Sequence, residues 1–207
     1  MHLTRRQLLP LLLLGMIIFS GCKRSNNYSE LVAGDVVLAV GDQFTAGTGV
    51  SERFSYPELL ALSTDAKILN IARAGQSAAD VMNVLKPALN DRVKLVILTV
   101  GFNDLQQGQD LRFLTSYLIE IISTLERRKV PLMLIGIPAL PYKGSSKPHP
   151  VFEQLAENYK FIYEPNAFIT VLKTQVNMET PRQFTADGYR VFSESIEARM
   201  RAEGFLR

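Results

Sequence analysis

From Asp35 onward, short apolar runs alternate with amphipathic stretches, the pattern of a parallel sheet with helices packed on both of its faces. The runs Val36–Val40, Ile68–Ile71, Leu95–Val100 and Leu132–Ile137 are almost continuously apolar, which predicts strands buried on both sides, and Phe161–Tyr163 is a weaker fifth. Helices are expected between them. Ser55 and Glu58 have capping-box spacing ahead of Leu59-Leu60, and Ser77 can cap a helix that buries Val81, Val84 and Leu85. The longest helix is expected over Leu111–Arg128, with Leu111, Leu114, Leu118, Ile121, Ile122 and Leu125 on one stripe and basic residues in its last turn. A final helix buries Tyr189, Phe192 and Ile196 and stops before Gly204. The order of elements predicts an α/β fold, a three-layer αβα sandwich on a flavodoxin-like parallel five-stranded sheet, with the ligand crevice at the C-terminal ends of strands one and three. The polar clusters Gly41-Asp42-Gln43 and Gly101-Phe102-Asn103-Asp104 follow those two strands. Gly, Asn and Asp also serve βα turns and helix caps, so position at the switch point is what marks these clusters as candidates.

The N-terminal stretch does not fit this alternation. Arg5 and Arg6 followed by the apolar Leu8–Phe19 and the small pair Ser20-Gly21 read as a secretory signal over residues 1–21. The 12 apolar residues contain Pro10 and fall short of the ~20 needed to span a bilayer. Ser20-Gly21 ahead of Cys22, the only cysteine, resembles the lipobox of bacterial lipoproteins, with Phe19 in place of the preferred Leu. That resemblance implies acylation of Cys22, a tether over 22–34 and a domain over 35–207 lipid-anchored in a bacterial envelope. Lys23 after the cysteine resembles sorting to the periplasmic face of the outer membrane.

Composition narrows the function classes. The 207 residues are 47% hydrophobic and 21% charged, ordinary for one globular domain. Lys and Arg number 23 against 20 Asp and Glu, and loss of Arg5 and Arg6 with the signal brings the two signs to near balance, so no nucleic-acid partner is expected. A single cysteine and two histidines, His2 and His149, give neither an internal disulfide nor a zinc cluster. No Gly-x-Gly-x-x-Gly follows the first strand, and Gly41–Gly47 has neither the gap nor the Lys of a phosphate loop, so no nucleotide cofactor is implied.

Three blocks then resemble the SGNH, or GDSL, hydrolase family, in its esterase and lysophospholipase-like branch. Ala39-Val40-Gly41-Asp42-Gln43-Phe44-Thr45 is similar to the first, Asn70-Ile71-Ala72-Arg73-Ala74-Gly75 to the second, and Gly101-Phe102-Asn103-Asp104 to the third. The resemblance implies an acyl-ester or lipid-like ligand, with Gly75 and Asn103 as oxyanion-hole donors and Asp42 and Asp104 beside the crevice. It also implies that Gln43 stands at the nucleophilic Ser position. Counting back from Gly188-Tyr189 puts Gln183 at the catalytic His position and Thr180 at the catalytic Asp position. A triad needs a hydroxyl nucleophile, a base and an orienting carboxylate, and a carboxamide supplies none of them. The expected function is therefore an impaired or inactive hydrolase that keeps its crevice.

Alternatives are an active ester hydrolase with a relocated triad using His149, and a periplasmic scaffold or interaction module. His149 lies between Pro148 and Pro150 in the polar loop Tyr142–Pro150, where a solvent-facing turn residue is the plainer reading. Thr45, Ser51 and Ser77 are hydroxyls explained by turns and caps, and Asp187 reads as the N-cap of the last helix. Asp42 and Asp104 without histidine support are expected to wire turns rather than hold a metal.

Overall fold

The computed structural model describes residues 28–139, 145–173, 177–180 and 183–207. The segment read as a signal, and Cys22, lie outside them. Five parallel strands, β1 (Val36–Gly41), β2 (Lys67–Asn70), β3 (Val93–Thr99), β4 (Leu132–Ile135) and β5 (Ile162–Glu164), form one sheet in the order β2-β1-β3-β4-β5. This is the expected flavodoxin-like order, with the switch point between β1 and β3.

The connections between the parallel strands carry the helices. Helix α2 (Tyr56–Ala61), on the β1 to β2 connection, packs with α8 (Ala186–Glu203), which also packs with α7 (Ala167–Leu172). Helices α3 (Ala78–Ala88) and α5 (Leu111–Arg128) pack together over the other crossovers, and α6 (Pro150–Asn158) lies beside α5. Two short helices start right after the switch-point strands: α1 (Gln43–Ala46) after β1 and α4 (Phe102–Gln106) after β3. A small antiparallel hairpin, β6 (Met178–Thr180) and β7 (Gln183–Phe184), precedes α8.

β1 is buried at all six positions and β3 at all but Lys94, because both are central strands covered on two faces. β2 departs from expectation: it is the sheet edge and is only half-covered, with Lys67 and Asn70 exposed. α5 matches its predicted span, and Leu114, Leu118, Ile121, Ile122 and Leu125 are buried while Leu111, at its first turn, is 42% exposed. Ser77 forms a full capping box with Asp80. The box expected from Ser55 and Glu58 does not form: the Ser55 side chain makes no cap bond and is buried against the backbone of Gly47. Thr185, not Asp187, caps α8, its hydroxyl accepting from Gly188 N, and Asp187 falls in the first turn.

Residues 28–34, within the segment read as a tether, rest on the domain. The Tyr28 ring stacks on Phe205 at 4.7 Å, Leu31 is buried, and its N–H donates to the Phe205 carbonyl at 3.0 Å. Beneath the switch point, Phe44, Phe102, Phe168, Phe184 and Phe192 form an aromatic cluster of largely edge-on contacts joining α1, α4, α7, β7 and α8. It fixes the two short helices, which have too few turns to hold themselves.

Candidate functional site

Backbone geometry builds the site first. Gly41 ends β1 where a Cβ would stand 2.1 Å from the Thr99 carbonyl oxygen, so only glycine lets β1 and β3 close at the switch point. Asp42 then turns the chain into α1, its Oδ1 accepting from Phe44 N at 3.1 Å. This places Gln43 as the first residue of α1, at the mouth of the sheet.

The Gln43 side chain reaches across the switch point. Its Oε1 accepts from Asn103 Nδ2 at 3.0 Å and from Gly75 N at 3.3 Å. Two donors on one oxygen fix the carboxamide orientation, since a flipped amide would set NH2 against both. Asn103 is aimed by a second bond, from Nδ2 to the Gln76 carbonyl at 2.9 Å. Gly75 sits in a left-handed turn (φ +83°) where a Cβ would meet nothing within 4 Å, and its N–H points at Gln43 Oε1. The Gln76 carboxamide holds that turn by accepting from Arg73 N at 2.9 Å.

The main chain of Gln43 is tied down from behind. Its carbonyl accepts from Thr48 N at 3.1 Å and from the Tyr189 hydroxyl at 3.2 Å, and that hydroxyl also reaches the Thr48 carbonyl at 3.2 Å. Burial, then the nearby Asp42 and Tyr56, push the Tyr189 phenol well above its ordinary range, so it stays a donor. Tyr189 reads in the sequence only as a core residue of the last helix. The signal for its second role is the Gly188-Tyr189 pair itself.

Asp42 and Asp104 lie beneath this arrangement. Asp104 accepts from Ala78 N with both carboxylate oxygens at 3.2 Å, joining α4 to the start of α3. Asp42 is wholly buried, and burial, opposed by the Phe44 N–H and reinforced by Asp104, pushes its carboxyl up to about 8. Its Oδ2 has no partner among the described residues. Burial likewise raises Asp104. Both side chains thus wire turns, and among the described residues no group of three or more His, Cys, Asp or Glu is placed to hold a metal ion.

Of the predicted site residues, Gln43, Gly75 and Asn103 converge on one oxygen. Gln183 packs its side chain against Gly49, where a Cβ would meet it at 3.3 Å, so β7 borders the loop that follows α1. Thr180 pairs with Gln183 across the β6–β7 hairpin and is exposed. His149 is not a free loop residue: it caps α6, with Nδ1 accepting from Val151 N at 3.3 Å and its own N–H donating to the Ile137 carbonyl at 2.7 Å. Partial burial lowers its pKa, which keeps that Nδ1 an acceptor. Residues 142–144 of the Tyr142–Pro150 loop lie outside the described residues. A cavity of about 470 Å³ lies far from all of this, at the N-terminal ends of the strands.

Known proteins bear on this geometry in two ways. The model of the GDSL-like lipase/acylhydrolase family matches residues 39–191. No curated protein matches the sequence. Among solved structures, TesA superposes with a TM-score of 0.73 at 20% identity over 82% of this chain and 99% of its own. The esterase EstA from Pseudoalteromonas sp. gives a TM-score of 0.71 at 16% identity over 81% and 97% of the two chains. AlinE4, an SGNH-hydrolase family esterase, is 28% identical over 65% of this chain and 77% of its own, with a TM-score of 0.55. The first two show likeness of fold alone.

Proposed function

The chain belongs to the GDSL-like lipase/acylhydrolase family, and we propose that it is a member whose hydrolytic chemistry is silenced while its crevice is retained. The observation that carries this is the Gln43 carboxamide oxygen lying on Gly75 N–H and Asn103 Nδ2. In the family resemblance those donors stabilise the oxyanion of a reacting ester, and here the chain's own side chain takes that place. Gln43 stands at the nucleophile position of the same resemblance, Thr180 at that of the acid and Gln183 at that of the base. A carboxamide neither attacks an ester carbonyl nor accepts a proton near neutral pH. With no triad, the donors alone leave ~10³ to 10⁴-fold over water, and here even they are engaged.

An acyl-ester or lipid-like ligand then binds without turnover, displacing Gln43 or resting beside it. An active hydrolase built around His149 is less well supported, because that imidazole is spent on capping α6. We further propose that acylated Cys22 anchors the domain in a bacterial envelope, at the periplasmic face of the outer membrane. No described helix is long and apolar enough to cross a membrane.

Hydrolysis of short- and medium-chain p-nitrophenyl esters tests the silencing, with the native chain beside the triple variant Gln43→Ser, Thr180→Asp, Gln183→His. The expected result is no turnover in the native chain and a gain in the variant. Native turnover that disappears in His149→Ala would replace this reading with a relocated triad.

A further inference from the structure

The chain enters the domain at the end opposite the crevice. Tyr28 and Leu31 line the cavity of about 470 Å³ together with Phe205 and the starts of β3 and β4. β1 runs from there to Gly41, two residues before Gln43, and its six residues cover ~20 Å. Only five residues lie between Cys22 and Tyr28, and the six chain steps reach at most about 20 Å. An anchor at Cys22 therefore keeps this end against the bilayer.

The chemistry of that end suits such a surface. Lys94, Arg128 and Lys129 line the cavity. Among the described residues Arg128 and Lys129 have no ion-pair partner, and the Lys94 ammonium meets only the Asp91 carbonyl. An adjoining depression of about 270 Å³, sharing Leu89 and Arg128, adds Arg127 and Lys86, the latter paired with Glu120. Acids are present too: Glu30 is neutralised by Arg207 at 2.7 Å, Asp35 accepts from Val32 N, and the Asp91 carboxylate, which lines the same cavity as the three cations, makes no ion pair among the described residues. Arg127, Arg128 and Lys129 also complement the C-terminal dipole of α5, but the dipole accounts neither for Lys94, from a different element, nor for the open cavity between them.

We propose that this end is the membrane-facing surface of the domain, set on anionic lipid headgroups through Lys94, Arg128 and Lys129, so that the crevice opens away from the anchoring bilayer. The ligand then arrives from the aqueous side rather than from the leaflet that holds the anchor. The inference rests on acylation of Cys22, as proposed above.

Hydrogen exchange on the full chain, extracted from membranes and reconstituted in vesicles, tests it. On phosphatidylglycerol vesicles, amides of 89–94 and 126–130 are expected to gain protection while 103–109 at the crevice gain none. High salt, or the exposed substitutions Lys94→Gln, Arg128→Gln and Lys129→Asn together, removes that protection, each cation accounting for about fivefold in headgroup affinity. Protection at 103–109, equal protection on phosphatidylcholine vesicles, or no protection at the base overturns the proposal. The mass of the N-terminal peptide is read in the same sample. An unmodified Cys22 defeats the anchoring reading by itself, and the exchange pattern still judges which face meets the bilayer.

Discussion

Gln43 Oε1 and Asn103 Nδ2 stand 3.0 Å apart across the switch point of the sheet, which ties the first residue of α1 to the second residue of α4. Both side chains are buried, at 6% and 8% exposure, so the bond is shielded from competing water. Removing one partner leaves the other one bond short. Asn103→Ala strips Gln43 Oε1 of one donor and the Gln76 carbonyl of its bond, and is expected to cost about 1–3 kcal/mol. At ~2–4 °C per kcal/mol for a domain of this size, thermal unfolding should fall by several degrees. A melting temperature unchanged from the native chain would mean that the contact does not hold the site.

Gln43→Ala should do the reverse for binding. It withdraws the internal ligand and exposes the Gly75 and Asn103 donors to an incoming oxygen. An alkyl boronate or phosphonate should therefore bind the variant more tightly than the native chain in calorimetric titration, by on the order of tenfold for about 1.4 kcal/mol of released donor capacity. Equal affinities would show that the carboxamide does not compete with ligands. Asn103→Ala on top of Gln43→Ala should abolish the gain.

Much of this was legible in the sequence because strand periodicity and glycine placement are local signals. The five strand runs and the α5 stripe are readable from spacing alone, and their alternation with helices suggests the sheet order. β2 misled because an apolar run does not tell whether an edge strand is covered on both sides, and Ile68 and Leu69 are only half-buried. Ser55 misled because burial against Gly47 outweighed a cap bond available by spacing. The convergence of Gln43, Gly75 and Asn103 was legible as a family resemblance, but their mutual bonding was not. The direction of the Gln43 side chain depends on α1, a four-residue helix fixed by Phe44 packing on Phe102, Phe168 and Phe184 from distant parts of the chain. Spacing within 43–46 carries none of that information.

Gly41 and Gly75 separate two reasons for glycine. At Gly41 a methyl would sit 2.1 Å from a backbone oxygen of the neighbouring strand, where nothing flexible can yield. Gly41→Ala should therefore unfold or grossly destabilise the domain, beyond the ~1–3 kcal/mol typical of overpacking. At Gly75 a methyl meets nothing within 4 Å, and the whole penalty is the left-handed backbone at φ +83°. Gly75→Ala should thus cost only about 1–2 kcal/mol and retain the N–H on Gln43 Oε1. Denaturant midpoints of the two variants check this, and similar losses at both positions would contradict the assignment.

The buried Asp42 carboxyl sets a pH dependence of stability. Its folded pKa, pushed up to about 8 by burial, lies above the unfolded value of 3.8, so the folded chain holds this proton more tightly than the unfolded one. The sign follows from linkage: between about pH 4 and pH 8 the unfolded chain binds fewer protons, and the contribution of Asp42 to stability falls as pH rises, levelling off above the folded pKa. Asp104, raised by burial as well, adds in the same direction. Asp42→Asn keeps a neutral group of the same shape on Phe44 N and has no proton to lose. Urea unfolding of both chains from acid to mildly alkaline pH should give native stability close to the variant's at pH 4 and progressively below it toward pH 8. A gap that stays constant across that range would mean that Asp42 is already ionised in the folded domain and that its buried Oδ2 has found a partner.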